Sequence, residues 1–261
     1  MKFRNNYISL WLLLSLSLIL IVLIAFTKEE VKIADHSLKK APFPELFKEN
    51  NPDIDELSDS TIIDEVKEDE IIKTDSLPQR IFIFGDSMTF NLALRLAQYA
   101  KKNGHEIHSV NWDSSNTKIW ADYDTLAYFL NKYRPTQVFI SLGSNEIYLK
   151  NPEIRRPYVK KILEVIDTIP YVWIGPPNWS EDSGINDMIE SECKKGSFFK
   201  SAGMTFKRKS DHIHPTRESS ADWIDSLMRW LPKSSHPFIA ETPDSVMKTN
   251  PNIIFLKAVN K

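Results

Sequence analysis

Cysteine is nearly absent. Cys193 is the only one in 261 residues, so no internal disulfide can form, and a single thiol argues neither for nor against an oxidising compartment. A dense basic stripe is also missing. The net charge is −2, and the 24 basic and 20 acidic residues after Leu77 leave only a mild excess, no argument for nucleic acid. There is no internal repeat. Histidine is scarce at 6 residues. A metal-dependent phosphoesterase built on His212, His214, Asp86 and Asn145 would have few further ligands near strand ends. What remains is a chain with 42% hydrophobic and 26% charged residues, the composition of a globular domain.

One apolar run stands out. Tyr7 to Phe26 is 20 residues without a charge. At about 1.5 Å per residue it reaches about 30 Å, the thickness of a bilayer's hydrocarbon core. Lys2 and Arg4 precede it, which keeps the short N-terminus cytoplasmic. No clear small-x-small cleavage site follows, and no lipobox-type cysteine lies nearby, so an uncleaved anchor with an exported remainder is expected. From Thr27 to Leu77 there are 15 acidic and 7 basic residues with three prolines, which reads as a solvated tether. The expected division is an anchor over 1–27, an acidic tether over 28–77, a catalytic domain over 78–235 and a C-terminal tail over 236–261.

After Pro78 apolar runs alternate with helical spacings. Strands are predicted at Arg80–Phe84, Glu106–Val110, Gln137–Leu142 and Tyr171–Ile174. Helices are predicted at Asn91–Lys102, Asp122–Tyr133, Tyr158–Thr168 and Ser219–Leu231. This alternation indicates an α/β fold with a parallel sheet covered on both faces. Ile253–Leu256, in the tail, is left to dock on the domain or to add an edge strand.

Three short segments carry chemistry. Gly85-Asp86-Ser87 follows the first strand, Gly143-Ser144-Asn145-Glu146 follows the third, and Asp211-His212-Ile213-His214 precedes the last helix. In open α/β sheets ligands bind beyond the carboxyl ends of strands, so the three converge on one edge. They supply a hydroxyl, an amide for an oxyanion, a base and a carboxylate to orient it. Ser87 beside a helix N-terminus can also offer its own N–H. Asp211 and His214, three apart, can share one face of a turn, with His212 pointing elsewhere. Gly-Asp-Ser alone is a common turn and helix cap; the order and placement of the trio make it specific.

These residues resemble the GDSL/SGNH hydrolase superfamily over about Pro78 to Leu231. The resemblance implies a flavodoxin-like three-layer α/β/α sandwich and esterase, lipase or acyltransferase chemistry without a cofactor. It implies Ser87 as nucleophile, His214 as general base, Asp211 as orienting acid and Asn145 as oxyanion donor. Glu146 stands where the family has Asp. The family's second segment supplies a glycine N–H to the oxyanion; the matching stretch Val110–Thr117 has no glycine, and Ser115 falls at that place. A position needing φ > 0 would strain Ser115. The expected oxyanion hole is therefore Ser87, Ser115 and Asn145.

Trp112, Trp120, Trp173 and Trp179 lie in or near strand-end segments, and Trp112 and Trp179 are the candidates for stacking on a substrate. The expected partner is an acylated carbohydrate of the cell envelope, met by a membrane-anchored, extracytoplasmic domain. An O-acyltransferase with the same triad and a non-catalytic glycan-binding or assembly protein are the competing classes.

Overall fold

A computed structural model describes residues 32–33, 36–37, 73–244 and 247–257. The anchor expected over 1–27 and most of the tether fall outside these residues. Among the described residues no helix is long and apolar enough to cross a membrane. The chain divides into two units, Met1–Lys67 and Glu68–Lys261. Of the first, the described part is an antiparallel pair, Lys32–Ile33 against His36–Ser37.

The second unit is built on a six-stranded sheet. Its strands are β1 (Arg80–Gly85), β2 (Glu106–Trp112), β3 (Gln137–Ser141), β4 (Tyr171–Ile174), β5 (Phe198–Phe199) and β6 (Asn252–Leu256). Their order is β5-β4-β3-β1-β2-β6, with every neighbouring pair parallel. The helices are α1 (Thr89–Lys102), α2 (Thr117–Asp122), α3 (Thr125–Tyr133), α4 (Arg156–Ile166), α5 (Ile185–Glu192) and α6 (Arg217–Trp230).

Strand periodicity separates two cores. Ile81 and Ile83 of β1 pack with Leu92 and Leu96 of α1 and with Trp223 and Leu227 of α6. Phe82 and Phe84 point the other way, into a core with Trp120, Phe129, Ile162 and Ile189 from α2 to α5. The result is a three-layer α/β/α sandwich with a parallel sheet.

Some elements differ from the sequence reading. The helix expected over Asp122–Tyr133 is α3, which starts only at Thr125 because Tyr123 is extended at φ −107° and ψ 148°, and the short α2 before it was not anticipated. Helix α5 was not anticipated. Of the two alternatives left for Ile253–Leu256, the structure shows the edge strand: β6 pairs with β2 from His108↔Asn252 to Trp112↔Leu256. The end of the expected tether docks beside it, with Asp75 N–H donating to Pro237 O (2.8 Å) and Ile239 N–H to Asp75 O (3.1 Å). The described chain thus enters next to the amino-terminal end of β1, opposite to the end that leads into Ser87.

Candidate active site

β1 ends at Gly85, where a Cβ would lie 1.9 Å from the carbonyl oxygen of Ser141 in β3. Only glycine permits that approach. The Asp86 N–H donates to the same carbonyl at 3.0 Å. Met88 N–H then donates to Asp86 Oδ1 (3.0 Å), Thr89 N–H to Asp86 O (3.1 Å) and Phe90 N–H to Asn111 Oδ1 (3.1 Å). From Asp86 to Phe90, the N–H of Ser87 alone lacks an acceptor among the described residues. A free donor at the entrance to α1 is placed to receive developing negative charge.

Ser87 Oγ lies 2.8 Å from His214 Nε2, and His214 Nδ1 lies 2.8 Å from Asp211 Oδ2. Two of the three segments, Gly85–Ser87 and Asp211–His214, therefore meet in a continuous relay. With Nδ1 protonated toward the carboxylate, Nε2 is free to accept from the serine hydroxyl.

The relay is held by a tight turn. Lys209 N–H donates to His214 O (2.8 Å) and His212 N–H to Lys209 O (3.0 Å), while Arg208 bridges to Pro215. His212 takes a left-handed backbone, φ 59°. This folds Asp211 back so that its Oδ1 accepts from both Ile213 N–H and His214 N–H, each at 2.9 Å. The His214 backbone N–H, then its imidazole, then the Ile213 N–H hold the Asp211 carboxyl well below the usual carboxylate range. His212 serves the turn rather than the relay. Among the described residues no cluster of three or more His, Cys, Asp or Glu side chains could hold a metal ion.

Arg208 was not singled out from sequence. Its guanidinium donates to Ile213 O and to Asn178 O (2.9 Å), tying the histidine turn to the loop after β4. The available signal was an arginine three residues ahead of Asp211.

The expected oxyanion donor at Ser115 requires correction. Ser115 N–H donates to Trp112 O (3.1 Å), and its Oγ accepts from Trp120 Nε1 (2.9 Å). Ser115 is fully buried and has no N–H to offer a ligand. Nor does it carry the positive φ considered for it; Ser114 does, at 57°. The neighbouring Asn116 N–H has no acceptor among the described residues, and the Asn116 side chain caps α2 by accepting from Ile119 N–H (3.0 Å). Asn145 reaches the same loop: its Nδ2 donates to Ser115 O at 2.8 Å, which leaves its second hydrogen unspent.

Two carboxyls lie beneath the site. Glu146 is fully buried and accepts from Thr117 Oγ1 (2.6 Å) and Thr117 N–H (3.1 Å), with Arg155 Nε 2.9 Å away. Burial pushes its carboxyl up, against the pull of Thr117 and Arg155. Asp86 is also fully buried, and among the described residues its Oδ2 has no partner within hydrogen-bond geometry. Burial pushes it up to about 7, with the nearby Glu146 and Asp113 charges adding to the rise and the Met88 N–H opposing it.

The tryptophans divide. Trp120 and Trp173 are core residues. Trp112 is buried as well, with its indole N–H donating to Lys257 O (3.1 Å), which corrects its expected role in contacting substrate. Trp179 is half-buried; its indole N–H donates to Ser144 O (2.9 Å), next to Asn145, and the exposed Tyr148 packs edge-on against it at 5.9 Å.

No family model matches the chain, and no curated protein does. Among solved structures it is similar to TesA, at 16% identity over 58% of this chain and 97% of that one, with a TM-score of 0.43. A G-D-S-L family protein from Desulfitobacterium hafniense DCB-2 is matched at 15% identity over 58% and 98% of the two chains, TM-score 0.44. BT4096, a gut microbial diltiazem-metabolizing enzyme, is matched at 13% identity over 61% and 48%, TM-score 0.43.

Proposed function

We propose that the protein is a serine ester hydrolase of the GDSL/SGNH type, acting on an acetyl or other short-acyl ester of an extracytoplasmic carbohydrate. The observation that carries this reading is the relay from Ser87 through His214 to Asp211, at 2.8 Å for both links. In this reading Ser87 Oγ attacks the ester carbonyl carbon and passes its proton to His214 Nε2. Asp211, held ionised by its three donors, stabilises the imidazolium. The oxyanion accepts from the Ser87 N–H, from the second Nδ2 hydrogen of Asn145 and, in place of Ser115, from the Asn116 N–H. The bond to the leaving alcohol breaks as that alcohol takes the proton from His214. Water, deprotonated by His214, then attacks the acyl-enzyme, releasing the acid and restoring Ser87.

The relay's openness supports an ester carried on a large substrate: the side chains of His214 and Asp211 are 30% and 42% exposed. The Trp179 and Tyr148 rings, held to the loop at Ser144 by the Trp179 indole N–H, give a sugar ring a surface to stack on. The apolar Tyr7–Phe26 run supports a single-pass anchor with the domain outside the cytoplasm.

The test is an ester panel for the full-length protein: p-nitrophenyl acetate, its long-chain homologues and O-acetylated polysaccharides. Release of acetate from the polysaccharide is expected. Cleavage confined to long-chain lipid esters would contradict the substrate class, and a product that forms only with an added sugar acceptor would mark a transferase.

A further inference from the structure

Glu146 stands where the resembled family has Asp, and in the structure both its carboxylate oxygens bond Thr117. It follows β3, while Thr117 opens α2, 29 positions earlier, and their contact joins the loops that follow β2 and β3, the two strands that pair with β1. We propose that Glu146 is a positioning residue for the oxyanion donor at Asn116, acting through Thr117. The assignment rests on the ester-hydrolase reading above.

The geometry isolates one peptide. On its amino side, Ser115 is fixed at three points: its N–H by Trp112 O, its hydroxyl by Trp120 Nε1, its carbonyl by Asn145 Nδ2. On its carboxyl side, Thr117 is fixed at two, with both N–H and O–H given to Glu146. Between these anchors the Asn116 N–H is the group left without an acceptor among the described residues. An oxyanion donor must be aimed before the charge develops, and a peptide held at both ends is so aimed.

A carboxylate is the side chain that the contact requires. Thr117 presents two donors toward position 146, and both carboxylate oxygens accept. Glutamine at this position would accept one and turn its own NH2 toward the other. Aspartate is one methylene too short to hold both donors. A wholly buried carboxylate is also a poor choice for packing alone. Its desolvation has to be offset by Arg155 and Thr117, whereas apolar residues of similar size would fill the same space at no such cost. Retaining it is explained if the two bonds to Thr117 fix a direction.

The experiment uses the full-length protein as wild type, Glu146→Gln, Thr117→Val and the double variant, with p-nitrophenyl acetate kinetics, fluorophosphonate labelling and Tm. For Glu146→Gln, kcat is expected to fall about tenfold to a hundredfold with KM within about twofold, short of the ~10²–10³ lost when a donor is removed outright. The labelling rate should fall in step. The double variant should be no slower than Glu146→Gln alone, because both act through one contact. Should Glu146→Gln fail to fold, Thr117→Val removes only the hydroxyl bond and should still lower kcat severalfold. An active wild type with unchanged kcat in both single variants, or with losses that add in the double, overturns this assignment alone. A wild type that neither turns over the ester nor takes the label overturns the hydrolase reading, and this assignment with it.

Discussion

Asn145 Nδ2 donates to the carbonyl oxygen of Ser115 at 2.8 Å, so the loop after β3 is tied to the loop after β2 by the side chain best placed to touch an oxyanion. One hydrogen of the amide is spent on the tie and fixes its rotamer; the other has no acceptor among the described residues, and the proposed mechanism gives it to the oxyanion. The same bond closes the account of Ser115, whose N–H, hydroxyl and carbonyl are all engaged within the fold.

Two substitutions separate these roles. Asn145→Ala is expected to lower kcat by about 10²–10³ with a small change in KM, since a transition-state donor is lost. Ser115→Gly is expected to bring no gain in kcat and to lower Tm, because the Trp120 indole N–H would lose its buried acceptor. Steady-state kinetics and thermal unfolding on the full-length variants check both. A tenfold rise in kcat for Ser115→Gly would mean that position 115 does face the oxyanion.

Asp211→Asn keeps the size of the side chain and removes the charge. The amide can still accept from Ile213 and His214 backbone N–H, so the turn should survive. The imidazole loses the partner that fixes its tautomer, and kcat is expected to fall by about 10²–10⁴. A loss of under threefold at pH 7 would remove Asp211 from the relay.

Much of this was legible in the sequence, for identifiable reasons. β1, β3 and β4 are buried almost throughout, so each is a short apolar run between polar breaks, while β2 shows only Ile107, Val110 and Trp112 among polar residues. Ser87, Asn145, Asp211 and His214 could be placed because each adjoins such a run or a helix start. Ile253–Leu256 could be read only as a docking segment or an edge strand, because β6 is partly exposed and its pairing with β2 spans 144 positions at His108 and Asn252. α5 was hidden because it opens at Gly184 with φ 104° and is capped by Asp182, a sequence that reads as a loop. That the Ser115 N–H and hydroxyl are spent within the fold depended on where Trp112 O and the Trp120 indole would lie, which local spacing does not reveal.

Asp86 gives the fold a pH dependence of opposite sign to that of Asp211. Its folded carboxyl is pushed up to about 7, above the ordinary value of 3.8. Between those values the folded chain holds a proton that the unfolded chain has released, so stability falls as pH rises through that window and levels off above about 7. Asp211, held low, contributes stability above the ordinary carboxylate value that is lost as pH falls below it. Urea unfolding of wild type and Asp86→Asn at pH 5 and pH 8 isolates the first effect. The wild type should lose stability relative to the variant on going to pH 8, by an amount of order 1 kcal/mol or more. Equal shifts in the two proteins would show that Asp86 ionises normally.

The most direct measurement of an activated serine is covalent labelling. The full-length protein, with Ser87→Ala and His214→Ala beside it, would be treated with a fluorophosphonate probe and the modified residue located by mass spectrometry. Labelling of the wild type at Ser87, absent in Ser87→Ala and strongly slowed in His214→Ala, is the expected result. A folded wild type that takes no label, or takes it equally well without His214, would contradict the relay as a catalytic device.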